Sequence, residues 1–229
     1  MRNILILILS ISLSSCAQSK IEIPSNYKEI EIPKENSAEF RKLNYSEDIS
    51  IKLTGSKIET FPTPRRVDSK LKFKNGYLIG SDNGEWGGKL IYKIGEKEIQ
   101  IKEGNIVSLF ELEGKIYFLE GLAHGVTNYG EIYEVEYSRD VFTYKKVLEL
   151  PDNPETFQVF ENKIYIATFE NFVIINNWKV EKEIKGFWDS LYPNSLIIEN
   201  DNHIFIGIRG GIVELLPKDE IIKLYVKTD

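Results

Sequence analysis

Four copies of one short pattern recur through this chain, and the repetition limits the folds open to it. Lys74-Asn75-Gly76 leads into Tyr77-Leu78-Ile79-Gly80, and Glu113-Gly114-Lys115 into Ile116-Tyr117-Phe118-Leu119. Glu161-Asn162-Lys163 leads into Ile164-Tyr165-Ile166-Ala167, and Asp201-Asn202-His203 into Ile204-Phe205-Ile206-Gly207. The closing residues 80, 119, 167 and 207 lie 39, 48 and 40 apart. Asn, Gly and Asp at the turns supply the positive backbone dihedrals that two-residue hairpins need. An apolar stretch precedes each turn (71–73, 108–112, 157–160, 196–198), and two more alternating stretches follow each copy. Three of the four second strands close on a small residue, which suits crowding towards a common axis; Leu119 departs from that pattern.

Units of this length with four strands each predict an all-β chain, and specifically a β-propeller of four-stranded blades. Over 71–226 the chain resembles β-propeller repeat proteins in general, without pointing to one family. A β-sandwich is the alternative topology. Segments 39–45, 49–53 and 57–61 read as further strands, the last two meeting at Thr54-Gly55-Ser56, so five blades are favoured over four. Composition agrees: 42% of residues are hydrophobic and 12% aromatic. Val, Ile, Tyr and Phe outweigh Ala, which favours strands, and no helical periodicity stands out beyond the N-terminus.

At the N-terminus, Arg2 precedes an apolar run over 4–13 that is too short for a permanent membrane span but suits a signal-peptide core. It ends in Leu13-Ser14-Ser15-Cys16. Here the chain resembles bacterial lipoproteins, and the resemblance implies cleavage before Cys16 and its lipidation. Ala17 rather than Asp follows, which in Gram-negative lipoproteins implies sorting to the outer membrane. Cys16 is the only cysteine, so no disulfide framework exists. The expected organisation is a signal peptide over 1–15, a lipidated tether over 16–36, and a propeller over 37–229. Edge-strand character within 29–32 is the alternative to a tether extending that far.

Removal of 1–15 leaves 28 Lys and Arg against 35 Asp and Glu, a net charge of −7. An acidic domain without a basic cluster argues against nucleic acid as partner. The expected attachment to membrane is through the N-terminal lipid, with a protein or glycan as ligand and no cofactor.

Strand alternation places the turns between second and third strands on one face with the connectors between units. That face collects the unusual residues. Segment 81–89 offers Asp82, Glu85 and Trp86, and segment 120–130 offers His124, Asn128 and Tyr129. Trp86-Gly87 and Tyr129-Gly130 read as equivalent positions of two elaborated loops. Connectors add Arg65, Arg66, Trp188 and Tyr192, and the last unit adds Arg209. Aromatic rings, Arg and amides beside glycines suit a bound molecule. The candidate ligand-binding set is Asp82, Glu85, Trp86, His124, Asn128, Tyr129, Trp188 and Arg209. His124 has no nearby His or Cys to share a metal.

No phosphate loop, HExxH, GxSxG or CxxC is present. The sequence therefore favours a non-catalytic envelope binding module. One alternative is a glycoside hydrolase drawing two carboxylates from Glu85, Glu120, Glu170 and Asp189. Another is an envelope scaffold or inhibitor-type protein.

Overall fold

A computed structural model of the protein describes residues 21–63 and 68–228. Cys16 and the rest of the lipobox, and Arg65 and Arg66, lie outside the described residues.

Among the described residues, 19 strands form five antiparallel sheets. Strand β1 (Tyr27–Ile30) and helix α1 (Ala38–Asn44) precede a hairpin of β2 (Ile49–Thr54) and β3 (Lys57–Pro62). A four-stranded sheet follows: β4 (Ser69–Phe73), β5 (Gly76–Asp82), β6 (Gly88–Ile94) and β7 (Lys97–Glu103). The next holds β8 (Ile106–Leu112), β9 (Lys115–His124), β10 (Thr127–Ser138) and β11 (Val141–Leu150). The third holds β12 (Pro154–Phe160), β13 (Lys163–Thr168), β14 (Asn171–Asn176) and β15 (Lys179–Lys185). The last holds β16 (Ser195–Asn200), β17 (His203–Ile208), β18 (Gly211–Leu216) and β19 (Ile221–Lys227), with β1 added outside β19. First strands neighbour one another along the series: β4 meets β8, β8 meets β12, β12 meets β16, and β16 meets β2.

The repeated turns are where the sequence puts them. Glu113 and Gly114 (φ 51° and 74°) and Glu161 and Asn162 (φ 49° and 61°) occupy the left-handed region at the tight hairpins. Middle strands such as β13, β14 and β17 bury both faces, so alternate residues feed different cores. Ile164 and Ile166 of β13 pack towards Phe110, Leu119 and Ile132, whereas Tyr165 and Ala167 pack towards Ile204, Ile206 and Val213. Four such clusters lie between successive sheets. A side chain's facing is thus set by its parity along the strand.

The small closing residues answer to the next sheet's first strand. A Cβ on Gly80 would lie 2.4 Å from Ile106 Cγ2, and one on Gly207 would lie 2.4 Å from the Ile49 carbonyl oxygen. Opposite these closing positions stand hydroxyl residues: Ser69 pairs with Gly80, Ser108 with Leu119, Thr156 with Ala167 and Ser195 with Gly207.

Three expectations need correcting. Segment 39–45 is helical, because Ser37 caps it by accepting the Phe40 N–H (3.1 Å) and Phe40 and Leu43, three apart, bury one face against the β13–β18 core. The tether does not run through Asn36. Ile21 and Tyr27 are buried, Glu22 bridges to Lys57, and β1 pairs with β19 from Tyr27↔Lys227 to Ile30↔Leu224. Segment 120–130 is no loop but the arm of a long hairpin, paired out to His124↔Thr127, with Gly125 (φ 59°) at the turn.

Candidate functional site

The connectors and the turns between second and third strands do share one side of the molecule. There they surround a cleft of about 710 Å³ to which all five sheets contribute. Asp48, Ser50, Phe61 and Thr63 come from the first hairpin, Asp82 and Gly84 from the β5–β6 turn, and Leu122 from the β9–β10 arm. The β11–β12 connector brings Asn153 and β12 brings Glu155, while 192–195 and Arg209 complete the wall.

Arg209 is fixed from three directions. Its Nε and Nη2 donate to Asp48 Oδ1 (2.7 Å) and Oδ2 (3.3 Å), its Nη1 donates to Asn44 Oδ1 (3.2 Å), and its guanidinium lies 4.4 Å from the Tyr192 ring centroid. A planar fork and an aromatic face suit each other in this way. Tyr192 itself sits at φ 47°, an uncommon conformation for an aromatic residue, and is 38% exposed at the lip. Below it runs a chain of small polar groups. Thr63 and Ser50 hydroxyls lie 2.8 Å apart, Ser50 Oγ donates to Asn194 Oδ1 (3.0 Å), and so does Ser195 Oγ (2.9 Å).

The candidates from sequence divide into three groups. Asp82 and Arg209 line the cleft, Asp82 accepting the Gly84 N–H at 2.9 Å. Glu85, Trp86, His124, Asn128 and Tyr129 belong to the flanking turn and arm. Glu85 Oε2 lies 3.0 Å from His124 Nε2, tying the short 3-10 turn Gly84–Trp86 to the hairpin arm. Trp86 projects 84% exposed. Asn128 accepts the Asn153 N–H (2.9 Å) and donates to Glu170 (3.2 Å), so it braces the β11–β12 connector. Tyr129 is 37% exposed; partial burial of its hydroxyl, then the Glu120, Glu131 and Asp82 carboxylates, push its pKa up.

Trp188 is the exception. It is fully buried between β13–β14 and β17–β18, and its Nε1 donates to the Thr168 carbonyl oxygen at 3.1 Å, so it serves the core and offers nothing to a ligand. The supposed equivalence of Trp86-Gly87 and Tyr129-Gly130 is also one residue out. Gly88 lies opposite Asp82 and Gly130 opposite Gly121, each two residues before the partner of a closing residue. A Cβ on Gly88 would meet the Ser81 carbonyl oxygen at 2.0 Å, and one on Gly130 the Asp152 carbonyl oxygen at 2.3 Å.

The four acids considered for hydrolysis do not line the cleft. Glu120 pairs with Lys102 (2.7 and 2.5 Å), Glu85 with His124, Glu170 with Lys185, and Asp189 accepts from Ser190 Oγ (3.0 Å). Among the described residues no group of three His, Cys, Asp or Glu could hold a metal ion, and no helix is long and apolar enough to cross a membrane.

No family model and no curated protein matches the chain. Solved structures similar to parts of it include S. cerevisiae Dbp5 bound to Nup159, Gle1, IP6 and ADP, at 8% identity and TM-score 0.29, covering 75% of this chain and 58% of that one. The N-terminal domain of Nup159 matches at 8% identity and TM-score 0.27, with the same coverage. The extracellular domain of BT4673 from B. thetaiotaomicron matches at 17% identity and TM-score 0.31, covering 79% of this chain and 29% of that one. The chain thus spans 58% or less of each of these structures, and at such scores they carry no argument about fold or function.

Proposed function

We propose that this protein is a lipid-anchored envelope protein whose domain is a five-bladed β-propeller that captures a protein or glycan without catalysis. The blades are the β2–β3 hairpin and the four larger sheets, with β1 fastening the N-terminal segment to the last blade. The observation that carries the binding role is the cleft: five sheets from distant parts of the sequence each contribute side chains to it. Trp86 and Tyr129 stand beside it and extend the same face. Cys16 carries the acyl chains, and sorting to the outer membrane follows from Ala17 behind it.

Two experiments test this. Growth with a palmitate analogue labels the wild-type protein and leaves Cys16→Ser unlabelled. Capture by the full chain from envelope extract and on a glycan array gives a specific ligand that the Trp86→Ala/Tyr129→Ala double variant loses. Equal capture by the double variant removes the proposed face.

A further inference from the structure

We infer that the cleft binds a neutral saccharide; this rests on the binding-module reading and names its ligand class. Three observations lead there. First, among the described residues Arg209 is the only cation lining the cleft, its two-point bond to Asp48 neutralises it, and Asp82 and Glu155 add negative charge, so these residues offer a phosphate or carboxylate ligand no fixed positive partner. Second, beside the carboxylates Asp48, Asp82 and Glu155, the polar wall carries Ser50, Thr63, Asn153, Asn194 and Ser195, groups that both donate and accept hydrogen bonds. A sugar hydroxyl does the same, so successive hydroxyls can join the existing Thr63–Ser50–Asn194 chain without leaving a buried donor or acceptor unmatched. Third, Tyr192 and Phe61, each 38% exposed as residues, line the lip, and their rings offer a flat apolar surface to the C–H face of a pyranose. Arg209 packs against the Tyr192 ring at 4.4 Å, which lowers the entropic cost of ordering that ring on binding. A volume of about 710 Å³ falls within the range of small-ligand sites and admits a short oligosaccharide.

The test is calorimetric titration of the full chain, in detergent, with maltotetraose, cellotetraose, mannotetraose and chitotetraose, and with sialyllactose as the anionic arm. At least one neutral tetrasaccharide is expected to bind, and sialyllactose to bind more weakly than the best of them. Tyr192→Gly, which removes the ring and tolerates the positive φ, and Phe61→Ser, at an exposed lip position, are each expected to weaken binding by about tenfold with unchanged circular dichroism. Val141→Ser, at the exposed β10–β11 turn and outside the cleft, is expected to leave saccharide affinity unchanged. Three results overturn the inference: no neutral saccharide binds at millimolar concentration, sialyllactose binds best, or both lip variants bind like wild type. If saccharide binding fails in any of these ways while protein capture still depends on Trp86 and Tyr129, the ligand class is wrong and the binding-module reading survives.

Discussion

Ser195 Oγ accepts a hydrogen bond from the Ile51 backbone N–H at 2.9 Å, joining the first strand of the last sheet to the first strand of the hairpin 144 residues earlier. Ser69 Oγ takes the Leu109 N–H in the same manner at 2.8 Å. Adjacent sheets pack face to face, so their inner strands cannot continue one ladder, and a short hydroxyl supplies the partner that the neighbouring amide lacks. Ser195→Ala and Ser69→Ala are each expected to cost about 1–3 kcal/mol, since each leaves a shielded N–H unmatched. The sites are far apart, so the double variant is expected to sum the two losses. Urea denaturation measures both; losses below about 0.5 kcal/mol would mean that water replaces the hydroxyl freely.

These hydroxyls also show what was legible in the sequence. Ser69, Ser108 and Thr156 each stand 11 residues before the closing residue of their unit, and Ser195 stands 12 before Gly207. The spacing was there to be read, but alignment on the turns draws the eye to residues 74–76 and their counterparts. Turns and both-face apolar strands are local signals, and the four large sheets follow from them. The cleft is not local. Asp48 meets Arg209 across 161 positions, and Ser50 meets Asn194 across 144, so neither residue carries a sequence mark of its role. Trp188 misled for the converse reason: a Trp in a connector looks exposed until Thr168 supplies its buried acceptor. Helix α1 is seven residues long, too short for periodicity to outweigh strand-like composition, and only the Ser37 cap announces it.

Lys102 and Glu120 form an ion pair with side chains 12% and 6% exposed, beneath the Tyr133 and Tyr144 rings. Removing one partner strands the other. Glu120→Leu is therefore expected to destabilise by about 3 kcal/mol, and the double variant Lys102→Met/Glu120→Leu to recover most of that loss. Thermal or urea unfolding of the three variants decides it. A double variant no better than the single would place the cost in packing against Gly104, where a Cβ would already meet Glu120 Oε1 at 2.5 Å.

Two carboxyls should shape the pH dependence in opposite directions. Burial pushes Glu214 up, but the Tyr225 hydroxyl (2.6 Å), the His203 ring (2.7 Å) and Lys223 more than offset it, leaving its pKa below the usual 4.5. Its contribution is present above pH 4.5 and is lost as pH falls through the folded-state value. Glu120 runs the other way: burial raises its pKa above 4.5, with the Lys102 bond opposing, so its contribution is present below pH 4.5 and fades as pH rises through the folded-state value. Glu214→Gln should thus flatten the stability profile on the acid side of pH 4.5, and Glu120→Gln on its less acidic side. Identical profiles for both variants would contradict the assignment.

The segment before Ser37 should prove structural. Ile21 and Tyr27 are buried with Ile51, Ile58, Phe205 and Ile212 between the hairpin and the last sheet. Glu22 exchanges backbone hydrogen bonds with the β3 hairpin, its N–H donating to Ser56 (2.7 Å) and its carbonyl accepting from Ile58 (3.0 Å). The Thr228 N–H closes the far end of β1 on the Asn26 carbonyl at 2.8 Å. Burying each of the two large side chains contributes about 1.5–3 kcal/mol, so a chain beginning at Ser37 should lose about 3–6 kcal/mol. A chain beginning at Ile21 keeps these contacts and should match the full chain. The comparison uses urea midpoints, and the shorter chain should also show a smaller m-value, because it exposes less surface on unfolding. Equal midpoints for the chains beginning at Ile21 and Ser37 would mean that β1 rests on β19 without holding it, and that residues 21–36 act as a tether after all.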